Sequence, residues 1–547
     1  KERLSLRKYY QYITALRMGF NAIHRAAKLT QQFFIDAYLK AEANELNYIR
    51  THQREIRVEE LDTLRAAVDE GSDEQAGHIV LPKSFAAGPR AHYFHYLDCM
   101  TIFACKGEPT YFITLTFNPK WPELEQFLNG RPYTDRPDIV ERIFQQKRDL
   151  FLEAIIKFEV LRKVPAYCWT EEWQKRYLPH IHLLLAMAEA SRPRTPEEIE
   201  RVITCELADP ESHPRLFELQ AKCMMHSCGT PENPLACSVS GSCKYGYPHK
   251  FCDSTQLRKG AYPLWKRRDQ GRSYTGAGGR EFTNRDLLPT NPWLILLAAA
   301  HVFFELCIGF TCIKYVNKYI NKGPDMATLG LQVEEEAEQK GRDEPKEFVS
   351  SRYICATESF ARLNECSVYG TSHTVQTLKL HLQGKQKVHF VAGEEIEAVE
   401  RAESQRTELE AFFQLCCERH ATRERGEEVQ PSGLLKYPDV VQHFTFDKKK
   451  DGGTWRRRVK HPSKPVLARM NPVSIRTGGD LFYLRLLLLH VQEPKSFDDL
   501  LTFNSSIHST FQDACIARGI MQSDSIWDDT MKEASQAATP SSLRNLF

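Results

Sequence analysis

Tyr111-Phe112-Ile113-Thr114-Leu115-Thr116-Phe117 is the stretch on which the fold turns. It alternates and is rich in aromatic and β-branched residues, which specifies a β-strand. Asn118-Pro119 closes it, because proline cannot donate to a sheet ladder. Working outward, Asp138–Leu161 keeps helical periodicity without a Gly or Pro. Ala166–Glu172 reads as a second strand and Ile181–Met187 as a third, joined by a short polar link. Strand, helix, strand, strand is the order of an antiparallel-rich α+β domain.

Composition bounds the rest. The chain has 547 residues, 42% hydrophobic and 26% charged, which excludes collagen and wholesale disorder. At one domain per ~150 residues, three or four domains are expected. Residues 1–75 read as a helical N-terminal region, with apolar residues recurring through Tyr9, Ile13, Leu16, Phe20 and Ile23, then Phe33, Ala37, Leu39 and Leu46. Residues 76–333 form the main unit. It contains a Cys-, Gly- and Pro-rich insertion at about 205–285, and Trp293–Ile320 is expected to be helical. Residues 334–350 read as an acidic linker, since 334–347 hold seven acidic against three basic residues. Residues 351–547 form a C-terminal α/β unit, with a strand at Leu378–Leu382 and a buried helix at Asp480–Val491.

The first twenty residues lack an apolar signal core. The longest apolar runs, Leu294–Phe304 and Leu486–Leu489, fall short of the ~20 residues of a membrane span. A soluble intracellular protein with no membrane partner is expected. Lys1 in place of Met suggests a piece of a longer chain. The sixteen cysteines then point to metal ligation or burial rather than disulfides.

The net charge of +2, from 73 basic and 71 acidic residues, conceals sorting. Residues 244–281 hold nine Lys/Arg against three acidic residues, interleaved with six aromatics. Residues 447–469 hold nine against two, around Trp455. Basic side chains neutralise phosphates and aromatic faces stack bases, a combination suited to single-stranded nucleic acid. Trp265, Lys266, Arg267 and Arg268 in the first block and Arg456, Arg457 and Arg458 in the second are the expected DNA contacts.

Three groups of residues carry chemistry. In His180-Ile181-His182 the two imidazoles share one face of a strand, so they make two ligands for a divalent metal. Glu172 or Gln174 from the preceding strand supplies an oxygen, a donor set suited to Mg²⁺ or Mn²⁺. In Lys314-Tyr315-Val316-Asn317-Lys318-Tyr319-Ile320-Asn321-Lys322, Tyr315 and Tyr319 lie one helical turn apart beside a ridge of lysines. A tyrosine oxygen is a competent nucleophile once its charge is stabilised. Finally, His226, Cys228, Cys237 and Cys243 place four soft ligands within eighteen residues, enough for a tetrahedral structural zinc, with Cys223 or Cys252 as substitutes for one of them.

Together these elements resemble the HUH nuclease core of Helitron transposases. The resemblance rests on Phe112-Ile-Thr-Leu-Thr-Phe-Asn-Pro-Lys-Trp-Pro-Glu123, on Glu172-Trp-Gln-Lys-Arg-Tyr-Leu-Pro-His-Ile-His182, and on Lys314 to Asp325. It extends over most of the chain, to Phe482–His490. It implies an α+β HUH core with a central antiparallel sheet flanked by helices, and a nuclear, metal-dependent endonuclease and strand transferase acting on single-stranded DNA of transposon ends and target. By matching position Gln174 is the third ligand, with Glu172 the fallback. Tyr315 or Tyr319 would form a 5′-phosphotyrosine, with Lys318 and Lys322 near the phosphate or phenolate. Similar Cys and His ligands occur in the family's insertion.

Two residues depart from the family pattern: Tyr177 stands where a Gly is usual, and Trp173 separates the two oxygen ligands. The resemblance implies a helicase domain beyond Phe547; the sequence itself carries no GxxxxGK[ST] loop and so no visible ATPase. Two other readings give the same residues different work. One is a domesticated, non-catalytic protein that binds transposon ends; the other is a plasmid or viral rolling-circle initiator.

Overall fold

The computed structural model describes residues 4–52, 57–60, 81–173, 178–228, 237–239, 242–258, 262–276, 279–307, 344–349, 352–390, 395–448, 452–460 and 462–521. The chain divides into two compact units. The first comprises residues 1–46, 82–332 and 347–372, and the second 47–81, 333–346 and 373–547.

The first unit is α+β, built on a five-stranded sheet. Its strands are β1 (Tyr111–Thr116), β2 (Ala166–Trp173), β3 (Pro179–Ala186), β4 (Val302–Leu306) and β5 (Tyr369–Thr371). Their order is β5-β2-β3-β1-β4 and every neighbouring pair is antiparallel. The alternation read in Tyr111–Phe117 decides which face is which. Tyr111, Ile113 and Leu115 join Ile181, Leu183, Leu185, Val302 and Phe304 in one fully buried core. Onto that face packs the helix Pro137–Ile156, which buries Ile139, Val140, Ile143, Phe144, Phe151 and Ile155 at helical spacing. Phe112, Thr114 and Thr116 point to the other face, as do His180 and His182.

The Asn-Pro-Lys-Trp corner after β1 is a tether. Asn118 Nδ2 donates to the Ala299 carbonyl at 2.7 Å and Trp121 Nε1 to that of Ala298 at 2.8 Å. These carbonyls end the helix Pro292–Ala298, where Ala299 turns left-handed at φ 47°. The chain then enters β4. The expected helix over Trp293–Ile320 is therefore a short helix followed by the edge strand Val302–Leu306, and the span beyond residue 307 lies outside the described residues. A continuous apolar run has neither a 3.6- nor a 2-residue signature, so local pattern does not separate the two states.

Within the span 1–75 expected to be helical, Leu6–Ile13 and Lys28–Thr51 are helices, whereas Arg57–Glu60 is a strand paired antiparallel with Lys387–Phe390, and 61–75 lie outside the described residues. Thr14 Oγ1 bonds back to the Tyr10 carbonyl at 2.7 Å as the first helix ends, and Gly19 takes φ 104°. Leu16 and Phe20, which continued the helical pattern in the sequence, are consequently exposed. Phe34, Ala37 and Ala41 of the second helix pack with Phe360 and Leu363. The strand Tyr369–Thr371, beyond the acidic stretch, thus completes the sheet of the first unit. Within that stretch Glu344–Val349 is helical.

The second unit has its own core, including Leu409, Phe412, Tyr437, Val440, Leu484, Leu487 and Leu488. It contains a parallel pair, Thr374–Leu378 with Val466–Met470, and the hairpin Phe444–Asp447 with Thr454–Arg457. The expected strand at Leu378–Leu382 begins and ends four residues earlier. The helix Asp480–His490 is present, burying Leu484, Leu487 and Leu488. Arg419 is buried against Glu493 at 2.7 Å and donates to the carbonyls of Pro431 and Gly433. No described helix is long and apolar enough to cross a membrane.

Candidate metal centres

Antiparallel register brings the sequence-distant ligands together. Glu172 on β2 pairs with His180 on β3, and Thr170 with His182, so the carboxylate and both imidazoles share the non-core face. His180 Nε2 lies 3.2 Å from His182 Nε2. Glu172 Oε2 lies 3.7 Å from the first and 3.9 Å from the second. The point equidistant from these three atoms is about 2.1 Å from each, the length of a metal–imidazole or metal–carboxylate bond. Two nitrogens and one carboxylate oxygen form a donor set for a divalent cation, and the residues present fit one.

The orientation of His182 is set from β1. Thr114, opposite it in register, places Oγ1 3.0 Å from His182 Nδ1. An Nδ1–H donating to that oxygen leaves Nε2 with its lone pair toward the site. Phe112 stacks on the same ring, with centroids 5.4 Å apart and planes at 17°. Sequence reasoning passed over Thr114, although the alternation of its strand already placed it opposite the core.

Beneath Glu172, on the core face, Glu171 accepts from Arg148 Nη1 at 2.7 Å, and that same nitrogen donates to the Ser367 carbonyl. Burial and the adjacent Glu141 push the Glu171 carboxyl well above the usual range, against the pull of Arg148. Trp173 Nε1 donates to Glu141 Oε2 at 3.1 Å. The Trp that separates the two expected oxygen ligands therefore points away from the metal face, and its presence does not disturb Glu172. Of the two oxygen ligands weighed in the sequence, Glu172 meets the histidines. Gln174, the residue assigned by resemblance, lies outside the described residues, as do Tyr177, Tyr315, Lys318, Tyr319 and Lys322.

The second centre lies in the insertion. His226 Nε2 is 3.4 Å from Cys228 Sγ and 3.3 Å from Cys243 Sγ, and the ligand atoms of His226, Cys228, Cys237 and Cys243 all lie within 4.8 Å of one another. A tetrahedral zinc with bonds of about 2.0 Å to nitrogen and 2.3 Å to sulfur sets N and S about 3.5 Å apart, so this cluster fits a metal such as zinc. A tight hairpin supplies two of the ligands: Ser238 pairs with Cys243, and Lys244 N–H donates to the Cys237 carbonyl. Burial raises the Cys243 thiol, but N–H groups of Tyr247 and Tyr245 and the neighbouring thiols outweigh it, and its pKa is held below the ordinary value. Burial and the thiols of Cys243 and Cys237 push Cys228 up to about 12. Cys252, a substitute in the sequence reading, turns instead to the Ser254 carbonyl.

Residues 9–185 match the family model of the Helitron helicase-like domain at N-terminus. No curated protein matches the chain. The Helitron-like stretch carries the helical N-terminal region, β1, β2 and nearly all of β3, and so includes Glu172, His180 and His182. It stops before the cysteine cluster. The match supports a Helitron-related protein and a transposon-related function.

The basic residues chosen from sequence are placed differently from the simple reading. Arg267 is buried and donates to the carbonyls of Asn284 and Leu287. Arg268 makes a fork to Glu206 at 2.8 Å on each arm, and Lys266 pairs with Glu200 at 3.0 Å. Trp265 packs against the main core. The bridges Cys252–Arg267 and Gln256–Leu264 draw this segment inward, so its charge is used within the fold. Exposed basic and aromatic side chains of the insertion include Lys244, Tyr245, Lys250, Phe251, Arg258 and Tyr262, besides Arg215, Lys222 and Arg268, which pair with Glu218 and Glu206. In the second unit Arg458 donates to the Val441 carbonyl, Arg456 pairs with Asp447 at 3.3 Å, and Arg457 is exposed.

Proposed function

We propose that the first unit is a metal-dependent tyrosine nuclease and strand transferase that cuts and rejoins single-stranded DNA at transposon ends. The observation that carries the reading is the convergence of Glu172, His180 and His182 on one face of an antiparallel sheet, within a Helitron-like stretch. Glu172, His180 and His182 would hold a divalent cation, which when bound supplies Lewis-acid polarisation of a phosphate and neutralises developing charge. Thr114 and Phe112 keep the His182 ring aimed at that position. Tyr315 or Tyr319 is the nucleophile. Its phenolic oxygen gives up its proton and bonds to phosphorus as the P–O3′ bond breaks, and the leaving 3′ oxygen takes a proton. The product is a 5′-phosphotyrosine and a free 3′-OH, and the reverse step with a new 3′-OH rejoins strands. Two tyrosines allow two strands to be held in turn, with Lys318 and Lys322 near the phosphate. The exposed Lys244, Lys250 and Arg258, beside Tyr245, Phe251 and Tyr262, suit a path for the strand.

The test is covalent capture of a labelled single-stranded oligonucleotide with Mn²⁺. Wild-type protein should give a denaturant-resistant adduct; Tyr315→Phe with Tyr319→Phe should give none, and neither should His180→Ala. An adduct in the double tyrosine variant would remove the nucleophile assignment. DNA binding by wild-type protein with no nicking would favour a non-catalytic end-binding protein.

A further inference from the structure

One row of side chains crosses four strands on the metal face of the central sheet. Glu172 on β2 pairs with His180 on β3, and His180 pairs with Thr116 on β1. The Thr116 N–H donates to the His301 carbonyl at 3.0 Å, which extends the β1–β4 pairing one residue past Leu115–Val302. Since Val302 faces the core, alternation gives His301 to the metal face. The row therefore reads Glu172, His180, Thr116, His301. Its far end is held by the tether of Asn118 and Trp121 to the carbonyls of Ala299 and Ala298, just ahead of His301.

His301 has no task in the fold that the hydrogen bonds explain. Its Nδ1 is buried and has no hydrogen-bond partner among the described residues. Burial lowers its pKa to about 4, so the ring is neutral at physiological pH, with one donor and one acceptor nitrogen. Nδ1 is closed to solvent and cannot itself meet a ligand, but the ring as a whole is only partly buried, and with Nδ1 left as the acceptor nitrogen it is Nε2–H that is free to donate outward. Two strand spacings, about 10 Å, separate His301 from His180, too far to share one ion. Between them the floor is formed by Thr116, with Thr114 and Phe303 in the next row, all half-buried rather than sealed in the core.

We propose that His301 is a DNA-contacting residue of the nuclease face, hydrogen-bonding a non-bridging oxygen of a phosphate next to the one held at Glu172, His180 and His182. This rests on the nuclease reading above. A strand lying along the row would present its scissile phosphate at one end and a flanking phosphate at the other. His301 then fixes the register of the strand on the sheet without touching the metal position.

The experiment uses the full chain and a single-stranded oligonucleotide whose cut position has been mapped by covalent capture. Each phosphate flanking that position is replaced in turn by a methylphosphonate, and Kd is measured by fluorescence anisotropy for wild type, His301→Ala and His301→Gln. His301→Ala should weaken binding of the unmodified strand about tenfold, one hydrogen bond's worth, while Mn²⁺ affinity stays unchanged. At one flanking position the methylphosphonate should weaken wild type but add nothing to the loss in His301→Ala. His301→Gln, which keeps a donor, should recover part of the affinity and of the coupling. If His301→Ala lowers the melting temperature or Mn²⁺ affinity, the Gln variant alone is scored. Unchanged affinity, or a loss that is the same at every methylphosphonate position, overturns the assignment while wild-type capture leaves the nuclease reading standing. Absence of capture by wild type overturns both.

Discussion

Thr114→Val is the sharpest probe of the Glu172–His180–His182 centre. Valine keeps the β-branched shape and the strand preference of threonine, so the sheet should be undisturbed. What disappears is the oxygen 3.0 Å from His182 Nδ1. Without it the imidazole loses its tautomer preference and one restraint on its plane, while the stack on Phe112 remains. Loss of such a supporting partner costs 10- to 100-fold in metal affinity in well-studied sites, and the surviving stack argues for the lower end. The expected result is a Kd for Mn²⁺ raised about tenfold, or about 1.4 kcal/mol. Electron paramagnetic resonance of free Mn²⁺ gives that constant directly, with a thermal melt to show that the fold is intact. Thr114→Ser returns the oxygen and should restore binding. Wild-type affinity in the Val variant, or a Ser variant as weak as Val, would refute the claim that Thr114 orients His182.

Cys243→Ser should abolish stoichiometric zinc, measured by elemental analysis of protein purified without chelator, and lower the melting temperature. Zinc retained at about one per chain would put the ion elsewhere. His92 offers a pH test. Burial, helped by Arg362 and His95, lowers its pKa to about 4, below the ~6.5 of an unfolded histidine. The folded state therefore disfavours the proton: its stability is fully present above about pH 6.5 and declines as pH falls from there toward 4, by at most about 3 kcal/mol. His92→Gln should flatten that decline in urea melts at pH 7 and 5; an unchanged slope would contradict it. Lys244→Ala with Lys250→Ala should lower the dependence of log Kd on log salt for single-stranded DNA by about 1.4, two phosphate contacts at ~0.7 each, whereas an unchanged slope would take the strand off the insertion.

How much of this was legible beforehand depends on the range of the interaction concerned. Tyr111–Phe117 declared both its strand and its buried face, because alternation is local. His180 and His182 were placed on a common face by the same rule. Glu172 and Gln174 were not separable from sequence, because which oxygen reaches the histidines depends on cross-strand register; that register sets Glu172 opposite His180, while Gln174 lies outside the described residues. The insertion shows the opposite failure. Arg267 and Arg268 looked like free cations, but their partners Asn284, Leu287 and Glu206 lie 17 to 62 residues away along the chain.

The sequence by itself determined the antiparallel α+β character of the first unit, the His-Ile-His strand and the four soft ligands of the insertion, since each depends on spacing within a few residues. Tertiary structure decided that 302–306 is a strand and not a helix, because a short apolar-rich run without a periodic signature takes its state from the sheet edge waiting for it. It also decided that Glu172 meets the histidines, that Thr114 stands behind His182, and that His301 joins their row. Those three placements come from registers between strands far apart in the chain, and register is a property of the assembled sheet.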